Sequence, residues 1–307
     1  MKKDFISITD LTISEISSVF SQTVDVKKNK KKYAKSLLGK TIALIFQKPS
    51  LRTRVSFEVG VKQLGGSAVY LGREDVNLGV RESISDVAKT LSRYVDGIVA
   101  RTFDHKYVLD LARYATVPVI NGLSDLLHPC QALADIFTIQ EKIKQIKGTV
   151  FAYVGDGNNV CNSLLHICAK LGINVNVASP MGYSPQDDIL AQSRKIAGET
   201  GAKINIFFDA SSAVKDADVI YTDVWTSMGQ EQEREKRIEI FKDFQINKNL
   251  VSLAKKDCLV MHCLPAHRGE EITEEVIESK NSVIFDQAEN RLHAQKAIMI
   301  KLLGEKR

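Results

Sequence analysis

The sequence predicts an α/β protein of two domains, each a parallel sheet flanked by helices, and three observations carry that expectation. Short apolar runs such as Thr41–Phe46, 97–100 and 149–154 alternate with stretches whose apolar residues recur at helical spacing, the pattern of repeated βα units. That alternation begins twice, once before and once after Lys147-Gly148, so a boundary is expected there, with domains of 1–147 and 148–307. A chain of 307 residues, 44% hydrophobic and 26% charged, is long enough to bury two separate cores.

Residues 9–24 read as a helix with Thr9 as its N-cap, and the lysines at 27, 28, 30, 31 and 32 as a solvated linker. The strand Thr41–Phe46 leads into Lys48-Pro49-Ser50-Leu51-Arg52-Thr53-Arg54, where Pro49 favours an extended Lys48 and Ser50 suits an N-cap. Phe57, Val61 and Leu64 then recur at helical spacing up to Gly65-Gly66. A strand at 67–71, a polar loop at 76–83 and a helix through Leu91 follow. Next come a strand at 97–100 ending at Arg101, a helix at 109–114 and a strand at 117–121. The helix opening at Pro129 is expected to run to Ile146. In the second half, strands are expected at 149–154, 173–178, 203–208, 219–222, 258–261 and 282–286. Helices are expected between them and at the C-terminus, to Leu303.

Composition excludes several classes. The net charge of +5 is modest and the lysine cluster lacks interleaved aromatics, so no nucleic-acid partner is expected. No apolar run approaches the roughly 18 residues of a membrane span, and Met1-Lys2-Lys3-Asp4-Phe5 does not open a signal peptide. Five cysteines without framework spacing fit free thiols, and a cytoplasmic protein is expected. Cys258, His262 and Cys263 lack the spacing of a zinc cluster, so no metal is expected.

Arg52 and Arg54 stand in a first helical turn, where the helix dipole disfavours each cation by about 0.3 to 1 kcal/mol. A bound anion would answer that charge. With free N–H groups and the Ser50 and Thr53 hydroxyls, the turn reads as a phosphate cradle, although it is not a Walker A loop. Arg101 at a strand end is either a ligand group or a surface cation. His128 and Gln131 at the next helix start either polarise a carbonyl or cap their own helix. Gly155-Asp156-Gly157-Asn158-Asn159-Val160 is like a dinucleotide turn, but Val160 replaces the third glycine and strand 173–178 ends at Ser179 without an acidic residue. A nicotinamide cofactor is therefore not expected. The segment from Asp223 to Arg237, with the only tryptophan, is either a lid or a solvated helix with Trp225 as anchor.

In order along the chain, Ser50-Leu51-Arg52-Thr53-Arg54, His128-Pro129-Cys130-Gln131, Asp223 with Ser227-Met228-Gly229, His262-Cys263-Leu264-Pro265 and Arg291 resemble the ornithine carbamoyltransferase family over nearly all 307 residues. The resemblance implies transfer of a carbamoyl group from carbamoyl phosphate to the side-chain amine of ornithine, giving citrulline, with no cofactor or metal. It implies a site between the domains, a terminal helix of about 290–305 returning to the first domain, and a homotrimer. Carried over, it assigns the phosphate to Ser50, the Leu51 backbone, Arg52 and Thr53, with Asn77 and Arg101 also on carbamoyl phosphate. His128, Gln131 and Arg291 engage the carbamoyl group, Asn159, Asp223, Ser227 and Met228 hold ornithine, and Cys263 and the Leu264 backbone face the reacting centre. Arg101, His128, Asp223 and Cys263 form the implied catalytic set. Leu51 stands where the family usually has threonine, and Asn77 where glutamine is common. Putrescine and aspartate carbamoyltransferases share the cradle, and a silent anion-binding relative is the alternative of another class. Ser227-Met228-Gly229 looks like the ornithine type and His267-Arg268-Gly269-Glu270-Glu271 like the biosynthetic branch.

Overall fold

Caps and apolar runs set the elements of the structure, a computed structural model that describes residues 4–226 and 231–304. The chain groups into two units, one of Met1–Ala134 with Glu289–Arg307 and one of Asp135–Ala288. This division passes through a helix, whereas the change of sheet along the chain falls in the following loop, where the sequence suggests a boundary.

The first half comprises α1 (Ile13–Lys28), β1 (Thr41–Phe46), α2 (Leu51–Gln63), β2 (Ser67–Leu71), α3 (Arg73–Val76), α4 (Ile84–Tyr94), β3 (Gly97–Arg101), α5 (His105–Tyr114), β4 (Val119–Leu123) and α6 (Pro129–Lys142). Its sheet is four-stranded and parallel in the order β2-β1-β3-β4. The direction in which strands are added therefore reverses between β1 and β3, the switch point at which open α/β sheets collect ligands beyond their carboxyl ends. β1 is buried at five of its six positions, as a strand covered on both faces must be. α2 starts where Ser50 Oγ accepts the Thr53 N–H at 3.3 Å, and it buries Phe57 and Val61. Each such side chain contributes about 1.5–3 kcal/mol.

The second half comprises β5 (Val150–Val154), α7 (Asn159–Leu171), β6 (Asn174–Ala178), α8 (Asp187–Thr200), β7 (Ile204–Phe207), α9 (Ala210–Val214), β8 (Val219–Thr222), α10 (Arg234–Phe241), α11 (Lys248–Val251), β9 (Leu259–His262), α12 (Glu274–Ile277) and α13 (Ile284–Leu303). Its five-stranded parallel sheet runs β7-β6-β5-β8-β9, with the switch point between β5 and β8. Trp225, Phe241, Ile220 and Val260 are among the buried residues of its core. Gly157 in the loop after β5 must be glycine, because a Cβ there would lie 2.2 Å from the Pro185 nitrogen.

Four local expectations are corrected. The first long helix is capped by Thr12, which shares a capping box with Glu15, while Thr9 belongs to a short 3-10 turn capped by Ser7. The lysine run is not a linker: Lys27 and Lys28 end α1, and Lys30–Tyr33 forms a 3-10 turn. The helix opening at Pro129 ends at Lys142, before Ile146. The apolar run at 282–286 is no strand, because Ser282 makes one isolated bridge to Val260 and the Gln287 N–H then donates to the Val283 carbonyl, continuing into α13. A run that short does not distinguish a strand from a helix start.

Candidate active site

In the first unit the residues beyond β1 and β3 converge on one hydroxyl. Thr53, third residue of α2, is buried, and its Oγ1 accepts from Arg101 Nη1 at 3.5 Å and from Arg291 Nη2 at 3.2 Å. Arg101 is the last residue of β3, paired with Phe46 of β1, and the β3/β4 register shifts at Ala100/Arg101. Such an irregularity re-aims a side chain. Arg291, on α13, donates to the Gln131 amide oxygen and, through Nε, to Gln295 Oε1 at 3.1 Å. Gln295 Oε1 also accepts from Ser56 Oγ at 3.0 Å, tying α13 to α2.

His128 stands immediately before Pro129, at the start of α6, and is buried. Burial first, then the cations Arg291, Arg101 and Arg52, hold its pKa well below the ordinary histidine value. The ring is therefore neutral at physiological pH, able to donate or accept one hydrogen bond without adding charge. Neighbouring Cys130 is inert: burial pushes its thiol up to about 12, and its Sγ donates to the Asn121 carbonyl at 3.4 Å.

Arg54, Leu51 and Asn77 complete the first-unit residues singled out in the sequence. Arg54 turns to its own helix and the neighbouring strand, pairing with Glu58 at 2.9 Å and lying 3.6 Å from the Tyr70 ring centroid, whereas the Arg52 charge acts on His128. The Leu51 side chain is 73% exposed, and only its backbone N–H, at the first helical position, is suited to a ligand. Asn77 ends α3 in the left-handed conformation with φ 42°, and among the described residues no hydrogen bond joins its side chain to the cradle.

The second unit builds its group at the switch point between β5 and β8. Asp223, just beyond β8 and only 6% exposed, accepts at Oδ1 from Cys263 Sγ at 2.9 Å and from its neighbour Val224 N–H at 2.8 Å. Its Oδ2 accepts from Asn158 Nδ2 at 2.8 Å. Asn158 also caps α7, its Oδ1 accepting from the Val160 and Cys161 N–H groups. The residue bridging cap and carboxylate is thus Asn158, while Asn159 is the first residue of α7.

The loop after β9 is held by two residues outside the sequence-based site. His262 Nδ1 accepts the Leu264 N–H at 2.8 Å, so its proton sits on Nε2, which donates to Glu271 Oε1 at 3.1 Å. Both ring nitrogens are therefore engaged. Leu264, at φ 58°, is kept in a left-handed conformation that a leucine rarely adopts. Trp225 is buried and acts as an anchor: Arg237, also buried, donates to the Trp225 carbonyl and to Asp156 Oδ2, each at 2.6 Å. Nothing in the charge run 230–237 singles out Arg237 as its buried member. Ser227 and Met228, expected on the ornithine side, lie outside the described residues.

Fold and geometry define an α/β protein of two parallel sheets, with a cationic, oxyanion-fitting cluster at one switch point and a carboxylate–thiol–amide group at the other. Residues 3–141 match the family described as aspartate/ornithine carbamoyltransferase, carbamoyl-P binding domain, and residues 147–302 match its Asp/Orn binding domain. The chain belongs to the aspartate/ornithine carbamoyltransferase family. It is 56% identical over 305 residues to the ornithine carbamoyltransferase of Thermococcus kodakarensis, covering 98% of this chain and 96% of that protein. The same figures hold for the anabolic ornithine carbamoyltransferase of Pyrococcus furiosus. The solved ornithine carbamoyltransferase of Pyrococcus furiosus superposes with a TM-score of 0.96 at 55% identity, over 99% of this chain and 98% of that one.

Proposed function

We propose that this chain transfers the carbamoyl group of carbamoyl phosphate to the side-chain amine of L-ornithine, giving L-citrulline and phosphate in the direction of arginine biosynthesis. The observation that carries the reading is the convergence of Arg101 and Arg291 on Thr53, beside the neutral His128. Two guanidinium groups and a hydroxyl gathered at one point are donors of the kind that hold a phosphate dianion. The anabolic direction is supported by the name of the Pyrococcus furiosus relative.

In this reading Ser50, the Leu51 N–H, Arg52 and Thr53 hold the phosphate, with Asn77 on the same substrate. Arg101, His128, Gln131 and Arg291 surround the carbamoyl group. Asn159, Asp223, Ser227 and Met228 hold ornithine, and Cys263 with the Leu264 backbone faces the reacting centre. The amine must shed a proton before attack; for a lysine-like pKa of about 10.4 that costs roughly 4 to 5 kcal/mol at pH 7. The cationic cluster favours the neutral amine, whereas a carboxylate beside it would oppose this. Asp223 is therefore assigned to the α-amino end of ornithine together with Cys263.

The neutral amine adds to the carbamoyl carbon and the carbonyl oxygen gains negative charge; as the carbonyl re-forms, the C–O bond to phosphate breaks with its electron pair on phosphate, and that phosphate takes up the surplus proton of the amine nitrogen. Arg101, the Thr53 hydroxyl and His128 are the stabilisers of that oxyanion. A neutral imidazole donates one hydrogen bond to it without trapping the phosphate product electrostatically.

We further assign the chain to a cytoplasmic homotrimer. All five cysteines are free, as in a reducing compartment, and no described helix is long and apolar enough to cross a membrane. Leu51 and Val55 on α2 and Val69 on the edge strand β2 expose apolar surface that a neighbouring copy would cover. Ornithine, putrescine and aspartate offered separately with carbamoyl phosphate test the function. Citrulline from ornithine, with the other two near background, is expected; turnover of putrescine or aspartate above that of ornithine overturns the reading.

A further inference from the structure

The turn after the Cys263 loop carries a second group of donors that the carbamoyl transfer does not use. His267, Glu270 and Glu271 each place one ligand atom within 4.8 Å of the others. His267 Nδ1 stands 3.7 Å from Glu270 Oε2 and 3.9 Å from Glu271 Oε2. These gaps exceed a hydrogen bond, yet they approach the roughly 3.4 Å that separates ligand atoms around a tetrahedral ion with bonds of about 2.0–2.2 Å.

An independent observation singles out the third donor. The Glu271 side chain is 0% exposed, and its Oε2 has no hydrogen-bond partner among the described residues. Its other oxygen is doubly committed, accepting from His262 Nε2 at 3.1 Å and from the His267 N–H at 2.6 Å. A buried carboxylate with one oxygen anchored by two donors and the other bare is arranged as metal ligands are, with the anchoring hydrogen bonds outside the coordination sphere. Such a bare oxygen is costly unless a cation or proton meets it. Glu270 likewise gives one oxygen to Arg234 and keeps the other towards His267.

The turn is fixed before any ligand arrives. The Gly269 N–H donates to Ile272 O, the Glu270 N–H donates to His267 O, and Gln245 Nε2 donates to the Gly269 and Glu270 carbonyls at 2.8 Å each. His267 is 40% exposed, which leaves an open side for an ion to enter and for water to complete its coordination.

We propose that His267, Glu270 and Glu271 form a binding site for a divalent first-row transition cation of the zinc type. One imidazole and two carboxylates suit such an ion better than magnesium or calcium, which take oxygen ligands throughout. The neighbouring trio of Asp223, His262 and Cys263 is not the site, because both ring nitrogens of His262 already hold hydrogen bonds. Through Glu271 and His262 the ion would stiffen the backbone N–H contact at Leu264, beside Cys263.

The test uses the full chain stripped with EDTA, without substrates, and titrates Co2+ by visible absorption and Zn2+ by calorimetry. One equivalent is expected to bind with nitrogen and oxygen ligands and no thiolate charge-transfer band. His267→Ala and the isosteric Glu270→Gln should each weaken it at least tenfold, and Cys263→Ser should leave it unchanged. Absence of binding overturns the proposal, as does affinity that survives both substitutions, or a thiolate band that disappears in Cys263→Ser. None of these readouts depends on which amine the enzyme carbamoylates.

Discussion

Cys263 Sγ donates to Asp223 Oδ1 at 2.9 Å although the two residues are 40 apart in sequence, because they follow β9 and β8, which are adjacent in the second sheet. The carboxylate is held from within the protein, by the thiol and Val224 N–H on one oxygen and Asn158 on the other, which leaves one acceptor site on Oδ2. Its position is therefore fixed before substrate binds.

Asp223→Asn preserves volume but replaces one acceptor with a donor, so either the Cys263 or the Asn158 hydrogen bond fails. A lost hydrogen bond to a charged group is worth about 1.5–3 kcal/mol, and kcat/KM for ornithine should fall about tenfold to a hundredfold. Steady-state citrulline formation at varied ornithine measures it, and wild-type values would remove Asp223 from the ornithine site.

Arg101→Ala removes a cation placed to meet the developing oxyanion. Turnover should drop by roughly 10² to 10³, while the thermal midpoint moves little. Since the lost interaction belongs to the transition state, kcat should carry most of the change. A variant with normal kcat and raised KM alone would make Arg101 a ground-state binding residue.

Thr53→Val deletes the hydroxyl on which Arg101 and Arg291 converge and removes the acceptor they share. KM for carbamoyl phosphate should rise about tenfold or more, and Thr53→Ser should restore most of the loss. Failure of serine to rescue would show that the methyl group, not the oxygen, is what the site needs.

Cysteine chemistry separates the residues sharply. Burial pushes the Cys130 and Cys258 thiols up to about 12 and raises Cys161 and Cys168 as well. All four stay protonated at pH 8, and only the partly exposed Cys263 should react with a thiol reagent in the native enzyme. Five should react after unfolding. Modification of more than one thiol at the fast rate would contradict the burial of the rest.

The same shifts fix an alkaline limb of stability. A thiol whose folded pKa is about 12 holds its proton more tightly than the unfolded chain, where the value is nearer 8.5, so the unfolded state binds fewer protons above pH 9. The slope of unfolding free energy with pH is then negative: this contribution is intact below about pH 9 and is lost as pH rises towards 12. Cys130→Ala should flatten that decline in urea unfolding measured between pH 8 and 10.5, where an unchanged slope would assign the limb to other groups.

Periodicity and caps determined much of this protein from sequence. Ser50 caps α2, Pro129 opens α6, and the alternation of strands and helices yields two parallel sheets, because each depends on residues within a few positions of one another. Local signals fail where they are short, as at 282–286, or where two caps compete, as at Thr9 and Thr12. The ordered motifs also pointed to Thr53, Arg101, His128, Gln131 and Arg291. Only tertiary structure decided that both arginines share the Thr53 hydroxyl while Arg54 leaves for Glu58 and Tyr70, since guanidinium partners are chosen by strand order and rotamer. It also brought forward Asn158, Arg237, His262 and Glu271, whose roles come from hydrogen bonds between segments far apart in the chain. Buried polar atoms must find partners wherever the packing places them, and that placement is not written in the residues on either side.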